Sequence, residues 1–348
     1  PEPVTPDTLI TDQKVVPGVV LMASKSALWP YGSTAPLRED ILRVLGVLKV
    51  ATAEQIQELT RPHLTYRHPA PNNRGSRTAA HRNAALDLAR HGLVISEGRS
   101  RAGTKLYGLT PSGLEAAARA LERPLAEMGS IARGAASHGA AHALDVNATV
   151  LGLLQPRPTQ SAYDRLSPAD QAVVDSRPHG VGSLEAMSTE VGLPVTGTDA
   201  EPGYGSVQAD LVVSADEHHQ LPLMFVEVDR STMVPERVVA KIRRYQQYFE
   251  RRDKRGRLWW RSRWHLPEEQ QPAVALVVSG RSESSVLNRA AVVMNLVDSL
   301  EPPFPVLGTT LTRLQERGPW GQTWWNAARG GSPQSLEQAL DLPSPLTM

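Results

Sequence analysis

The chain has 348 residues, 41% of them hydrophobic, a formal net charge of +1 and 0 cysteines. That length and apolar content allow more than one buried core, so two domains are expected. The lack of cysteine excludes a disulfide scaffold, a thiolate zinc site and a cysteine nucleophile. No apolar run reaches the length of a membrane span, since the stretch 15–23 is broken by Pro17, and a cytoplasmic protein with no membrane partner is expected.

Residues 1–35 carry Pro, Thr and Gly without a period and read as an irregular arm. From Leu37 the apolar residues Leu37, Ile41, Val44, Leu45 and Leu48 recur at helical spacing. Thr52 then stands as an N-cap before a short helix, Ala53 to Leu59, with Gln55 placed to complete a capping box. After a loop rich in Pro, Asn and Arg comes a third helix, Thr78 to His91, with Ala80, Ala84, Ala85 and Leu88 on its apolar side and Gly92 as its stop. The run LVISEGRSRAGTKLYGLT alternates about a polar turn and reads as a hairpin with its tip at Glu97 to Gly103. Thr110 and Pro111 open a closing helix.

This order of elements predicts a winged helix-turn-helix DNA-binding domain over residues 36–123. Its third helix would offer Arg77, Thr78, His81, Arg82 and Asn83 to base edges in the major groove, and its wing would lay Arg99, Arg101 and Lys105 on the backbone. Arg74 adds to the same basic stripe, which Asp87 and Glu97 oppose, and such a stripe neutralises phosphates of double-stranded DNA. The alternative is a winged helix used only for protein contacts.

Residues 124–141 read as a linker, 142–330 as a second domain and 331–348 as a tail. The second domain opens with an amphipathic helix, HALDVNATVLGLL, followed by a polar, irregular stretch from Gln155 to Gly182 and a strand from Leu184 that brings in Glu190. Two strands, Leu211 to Ser214 and Leu221 to Val228, flank a turn holding His218 and His219, which read as solvated. The turn sets a register in which Asp210 lies opposite positions 225 to 227, so that Asp210, Glu227 and Asp229 converge. Such a cluster suits Mg²⁺ or Mn²⁺, or is neutralised by Arg230 or by Lys241, Arg243 and Arg244 of the next helix; sequence leaves both open. Beyond it lie a helix over Val234 to Arg251, tryptophans 259, 260 and 264 among arginines, a buried strand PAVALVVSG, a helix from Ser284 to Leu300 and a last strand. The expectation is an α/β sandwich around a mixed sheet.

The chain resembles the actinobacterial replication-relaxation family from about Leu37 to Asn326. The resemblance rests on LYGLTPSG, HALDVN, the Ala209–Asp210 step, FVEVDRST and KIRRYQQY. It implies a winged helix joined to an α/β domain resembling the PD-(D/E)XK nuclease fold, and a role in replication, relaxation or transfer of a plasmid or mobile element. Replication or transfer proteins and a second copy of the chain are the implied protein partners. Two positions depart from the nuclease pattern: Ala209 replaces proline, and Asp229 replaces the lysine that positions the attacking water. An active nuclease of this kind would use Asp210 and Glu227 as Mg²⁺ or Mn²⁺ ligands, Asp229 as support, Glu190 as an outer ligand and Lys241 against the phosphate. Otherwise the second domain is a docking surface, with Arg243 and Arg244 available to DNA, or the chain is a winged-helix repressor.

Overall fold

The computed structural model describes residues 28–131, 139–198, 203–214, 221–266 and 271–342. Most of the expected arm, the middle of the linker, His218, His219 and the end of the tail lie outside these residues. The described chain is mixed α/β and divides into two compact units. One comprises residues up to Asn147 together with Pro156–Arg177; the other comprises Ala148–Gln155 and everything from Pro178 onward.

In the first unit the helix Ala35–Leu48 presents Ile41, Leu42 and Leu45, each 0% exposed. It leads into a short strand, β1 (Val50–Thr52), which sequence patterning does not reveal. Thr52 ends the strand and caps the helix Ala53–Thr60, where Thr52 and Gln55 form the complete capping box. The proline- and arginine-rich stretch that follows is not a loop. It forms short helices, His63–Arg67 and Arg74–Arg77, before the helix Ala79–Arg90. The last helix buries His81, Ala84, Ala85, Asp87 and Leu88 and leaves Ala80 exposed, so its inner face is rotated from the expected one.

Strands β2 (Val94–Arg99) and β3 (Lys105–Leu109) form the hairpin, with a register shift between Ser96 and Arg99. β3 is central, flanked antiparallel by β1 and β2. The helix Pro111–Ala120 is capped by the Thr110 side chain, which accepts from the Gly113 amide at 3.0 Å. Gly113 is required there, because a Cβ would stand 1.9 Å from the Leu93 carbonyl oxygen. Asp87, 0% exposed, ties residues 28–34 to this unit by accepting from the amides of Tyr31 and Ser33 and from the Ser33 hydroxyl.

Pro156–Arg177, expected to be irregular, holds the helices Gln160–Tyr163 and Pro168–Asp175 and packs Leu166 and Val174 against Tyr66 of the first unit.

The second unit is built on a six-stranded mixed sheet of order β4 (Met187–Leu193), β5 (Val207–Val213), β6 (Met224–Asp229), β7 (Ala273–Val278), β8 (Val306–Thr310), β9 (Trp325–Asn326). β6, β7 and β8 are parallel and the remaining pairings antiparallel. Parallel neighbours need crossovers, supplied here by the helices Pro235–Glu250 and Glu283–Asp298. Both pack on one face, where Val238, Ile242, Tyr245, Val293 and Val297 meet Phe225, Val274, Leu276 and Val306. Phe225 lies within 6.1 Å, ring to ring, of Tyr245, Tyr248, Phe249 and Trp264.

Because the capping box satisfies two otherwise open amides, Thr52→Ala is expected to lower the stability of the first unit by about 1 kcal/mol. Urea denaturation of the variant beside the wild type measures this.

Candidate functional site: a locked acid pair and a basic surface

β5 and β6 pair Leu211 with Val226, and one further step of the antiparallel ladder sets Asp210 opposite Glu227. Asp210 Oδ2 accepts from the Val228 amide at 2.8 Å. Glu227 points into the layer covered by the helix Pro235–Glu250. There Lys241 and Tyr245 are four residues apart and so share a face. The Lys241 ammonium donates to Glu227 Oε2 and stands 4.0 Å from Asp210 Oδ1, while the Tyr245 hydroxyl donates to Glu227 Oε1. Glu227 is 5% exposed and Tyr245 0%.

Burial first, and then the Asp210 charge, push the Glu227 carboxyl up to about 8 against the pull of Lys241. Burial and the Glu227 carboxylate raise the Tyr245 phenol as well. Two carboxyls and one ammonium sum to zero charge when one proton is retained, which is the state a buried pocket favours.

Asp229 does not join this pair. The strand alternation does place Phe225, Glu227 and Asp229 on one face, but two helices cover that face. Glu227 meets the first, and Asp229, 5% exposed, meets the second, accepting from Arg289 Nε at 2.7 Å and from the Ser231 amide at 2.9 Å. Glu190 is exposed and has a left-handed backbone, φ 55°, within β4. Among the described residues no group of three or more His, Asp or Glu side chains is placed to hold a metal ion.

The ammonium of Lys241 stands against both carboxylates and supplies the positive charge there. The expected metal ligands Asp210 and Glu227 form a salt-bridged pair, and the expected four-residue catalytic set of Asp210, Glu227, Asp229 and Lys241 is split between two helices. Lys241 is engaged as the counter-ion. Sequence reasoning missed Tyr245 and Arg289; the signal for Tyr245 was its place one turn after Lys241.

In the first unit, three expected base readers are turned inward. Arg77 is 7% exposed and donates to the carbonyls of His68 and Ala70 and to Glu54. Thr78 donates to the Arg74 carbonyl at 2.9 Å. His81 is 1% exposed, lies 3.1 Å from the Thr60 hydroxyl, and is lowered to about 4 by burial and by Arg61, which keeps its ring neutral. The helix phase puts His81 on the buried side with Ala84, Ala85 and Leu88, while Ala80 faces out.

Arg74, Arg82, Asn83, Arg99 and Arg101 are exposed, and Lys105 is half-buried. Arg74 bridges Glu54 at 2.7 Å and reaches Thr104 at the hairpin tip, and Arg99 braces that tip through the Gly103 carbonyl. Tyr107 on β3 gathers these charges. Lys105 lies 5.1 Å from its ring, and Arg82 and Arg99 pull down a phenol that burial raises. Helix and hairpin thus contribute cations to one surface. Arg243 and Arg244 are exposed on the helix Pro235–Glu250 of the second unit.

The Glu227 proton gives a pH signature. A carboxyl raised from 4.5 to about 8 on folding binds its proton more tightly in the native state. Its contribution to stability is full below about 4.5 and is lost as pH rises through about 8. Denaturation midpoints followed between pH 5 and 9 are expected to fall with pH, and Glu227→Gln is expected to flatten that slope. Lys241→Met leaves the carboxylates without their cation and is expected to destabilise the second unit by about 2 kcal/mol at neutral pH, the partial exposure of Lys241 moderating the loss.

No described helix is long and apolar enough to cross a membrane. Neither a curated protein nor a solved structure matches the chain. Residues 42–258, well over half of the 348, match the family model described as replication-relaxation. The match spans both the basic surface of the first unit and the locked acid pair of the second, and the chain belongs to the replication-relaxation family.

Proposed function

We propose that this protein binds double-stranded DNA through its first unit during replication, relaxation or transfer of a plasmid or mobile element, and that its second unit is a nuclease-like scaffold used for docking. The family supports the setting in DNA replication and relaxation. The observation that carries the reading is the convergence of Arg82 from the helix Ala79–Arg90 with Arg99 and Lys105 from the hairpin around Tyr107. In a winged helix-turn-helix, the helix Ala79–Arg90 enters the major groove and the β2–β3 hairpin is the wing.

With Arg77, Thr78 and His81 held inside, base reading falls to Arg82 and Asn83. Arg74, Arg99, Arg101 and Lys105 serve the phosphates. Arg243 and Arg244 add phosphate contacts from the second unit, which on this reading retains the architecture of a PD-(D/E)XK-like domain without its metal chemistry. Lys241 supports that inference because it supplies the positive charge that Asp210 and Glu227 would otherwise take from Mg²⁺ or Mn²⁺. Replication or transfer proteins, or a second copy of the chain, are the partners this docking unit would serve.

Binding of the full chain to duplex DNA, followed by fluorescence anisotropy, is expected to weaken at least tenfold between 50 and 200 mM salt, about the loss that several phosphate contacts imply. Arg82→Ala is expected to reduce discrimination between the preferred site and random sequence by about 1 to 3 kcal/mol, whereas Arg101→Ala weakens both equally. A flat salt response would overturn the reading. Reproducible Mn²⁺-dependent cleavage by the wild type, lost in Glu227→Gln at equal folding, would replace docking with catalysis.

A further inference from the structure

The densest positive charge in the chain lies in the second unit, outside every residue assigned so far. Between Arg251 and Arg263 there are seven basic residues and one acid, Asp253. The fold uses several of these cations internally. Arg251 donates to the carbonyls of Pro194 and Gly197 and lies 4.0 Å over the Trp259 ring. Arg263 donates to the Gly192 carbonyl at 2.8 Å and lies over Trp264. Arg261 lies over Trp260, whose indole donates to the Phe249 carbonyl. These arginines and tryptophans anchor the segment to the core.

The turn between them is built differently. Residues 252–258 close on themselves through the Arg252–Leu258 bridge. Asp253 ties the loop from within. Its Oδ1 accepts from the amides of Arg255 and Arg257 at 2.8 and 2.9 Å, and its Oδ2 accepts from Arg257 Nε at 3.0 Å. These bonds, the Arg257 amide first, hold the Asp253 carboxyl below the usual carboxylate range. Gly256, φ 78°, takes the left-handed position that lets the turn close. Arg252 donates to the Gly256 carbonyl.

Lys254 and Arg255 remain at the tip, both exposed, and neither pairs with an acid among the described residues. The loop thus fixes two cations side by side while the acid that shapes it faces inward to the backbone. Like charges held together by an ordered turn repel one another, and an external polyanion would relieve that repulsion. The preceding helix continues the surface. Arg237, Ala240, Arg244 and Gln247 recur at helical spacing on its exposed side with Arg243 beside them, opposed by Glu236 and Glu250 at its ends. At about 1.5 Å per residue, these 16 residues lead some 24 Å along the unit to the loop.

We infer that the loop Arg252–Arg257 is a second DNA-contact element, a preformed basic finger that grips duplex phosphates at the end of the track begun by Arg237, Arg243 and Arg244. It extends the DNA-binding reading above and fails separately from it. Because the loop is ordered beforehand, little entropy is lost when it engages. With no helix or strand at the tip to enter a groove, its ammonium and guanidinium are assigned to phosphates and not to bases.

The test compares the full-length wild type with Lys254→Ala/Arg255→Ala, which leaves the Asp253 knot intact, and with Arg101→Ala in the first unit. On random-sequence duplex, the double variant is expected to bind about five- to tenfold more weakly at low salt. Its slope of log affinity against log salt should be shallower by about 1 to 2, as loss of two phosphate contacts requires. Its preference for a specific site over random sequence should be unchanged. Identical slope and affinity in variant and wild type would overturn the finger while leaving the first unit's role intact. Loss in the double variant with no effect of Arg101→Ala would sustain the finger and count against the first unit. A loss confined to single-stranded DNA of equal length would overturn the assignment to duplex.

Discussion

Burial of Glu227 beneath the helix Pro235–Glu250 is the constraint around which the second unit is arranged. A carboxyl at 5% exposure needs a cation, a proton or strong donors, and it finds Lys241 and Tyr245, one helical turn apart. That requirement fixes the rotation of the helix. The same rotation turns Val238, Ile242 and Phe249 into the aromatic core around Phe225 and leaves Arg237, Arg243 and Arg244 outward. The polar contact and the basic exterior are two faces of one helix phase.

This arrangement also bears on chemistry. An acid pair on adjacent strands is a metal site only if its oxygens remain open toward solvent and substrate. Here Asp210 accepts a backbone amide from β6, Glu227 is engaged at both oxygens, and Asp229 belongs to a different helix through Arg289. The unit sets Asp210 opposite Glu227 on adjacent strands, and the charge they carry is compensated by Lys241. The exposed face of the helix Pro235–Glu250 carries Arg237, Arg243 and Arg244, and the proposed first-unit winged helix adds a second basic surface.

The first unit relies on a comparable economy of charge. Glu54 holds Arg74 and Arg77, and Arg77 braces the turn before the helix Ala79–Arg90 through the carbonyls of His68 and Ala70. Arginines that look equivalent in a basic stretch therefore divide into those that build the scaffold and those that remain for a partner. The stretch Arg251–Arg263 divides in the same way, with Arg251, Arg257 and Arg263 used internally and Lys254 and Arg255 left over.

Local rules written in the sequence determined much of this. The Thr52–Gln55 capping box, the Thr110 cap before Pro111, the existence of the hairpin and the placing of Asp210 opposite positions 225 to 227 depend on neighbours a few residues away or on one turn's register, so they were legible without coordinates. The assembly of strands in the six-stranded sheet, by contrast, joins β6 to β7 and β8 across long crossovers that no local pattern specifies. Which face of the helix Ala79–Arg90 is buried was decided by packing: its alanines are too small and too many to mark one side, so His81 went inside and Ala80 out. Pro156–Arg177 joined the first unit because Leu166 and Val174 found Tyr66, a contact about a hundred residues distant in sequence. The sequence placed Asp229 on the same strand face as Glu227, but only the tertiary structure, by laying a second helix over that face, gave it Arg289 as a partner.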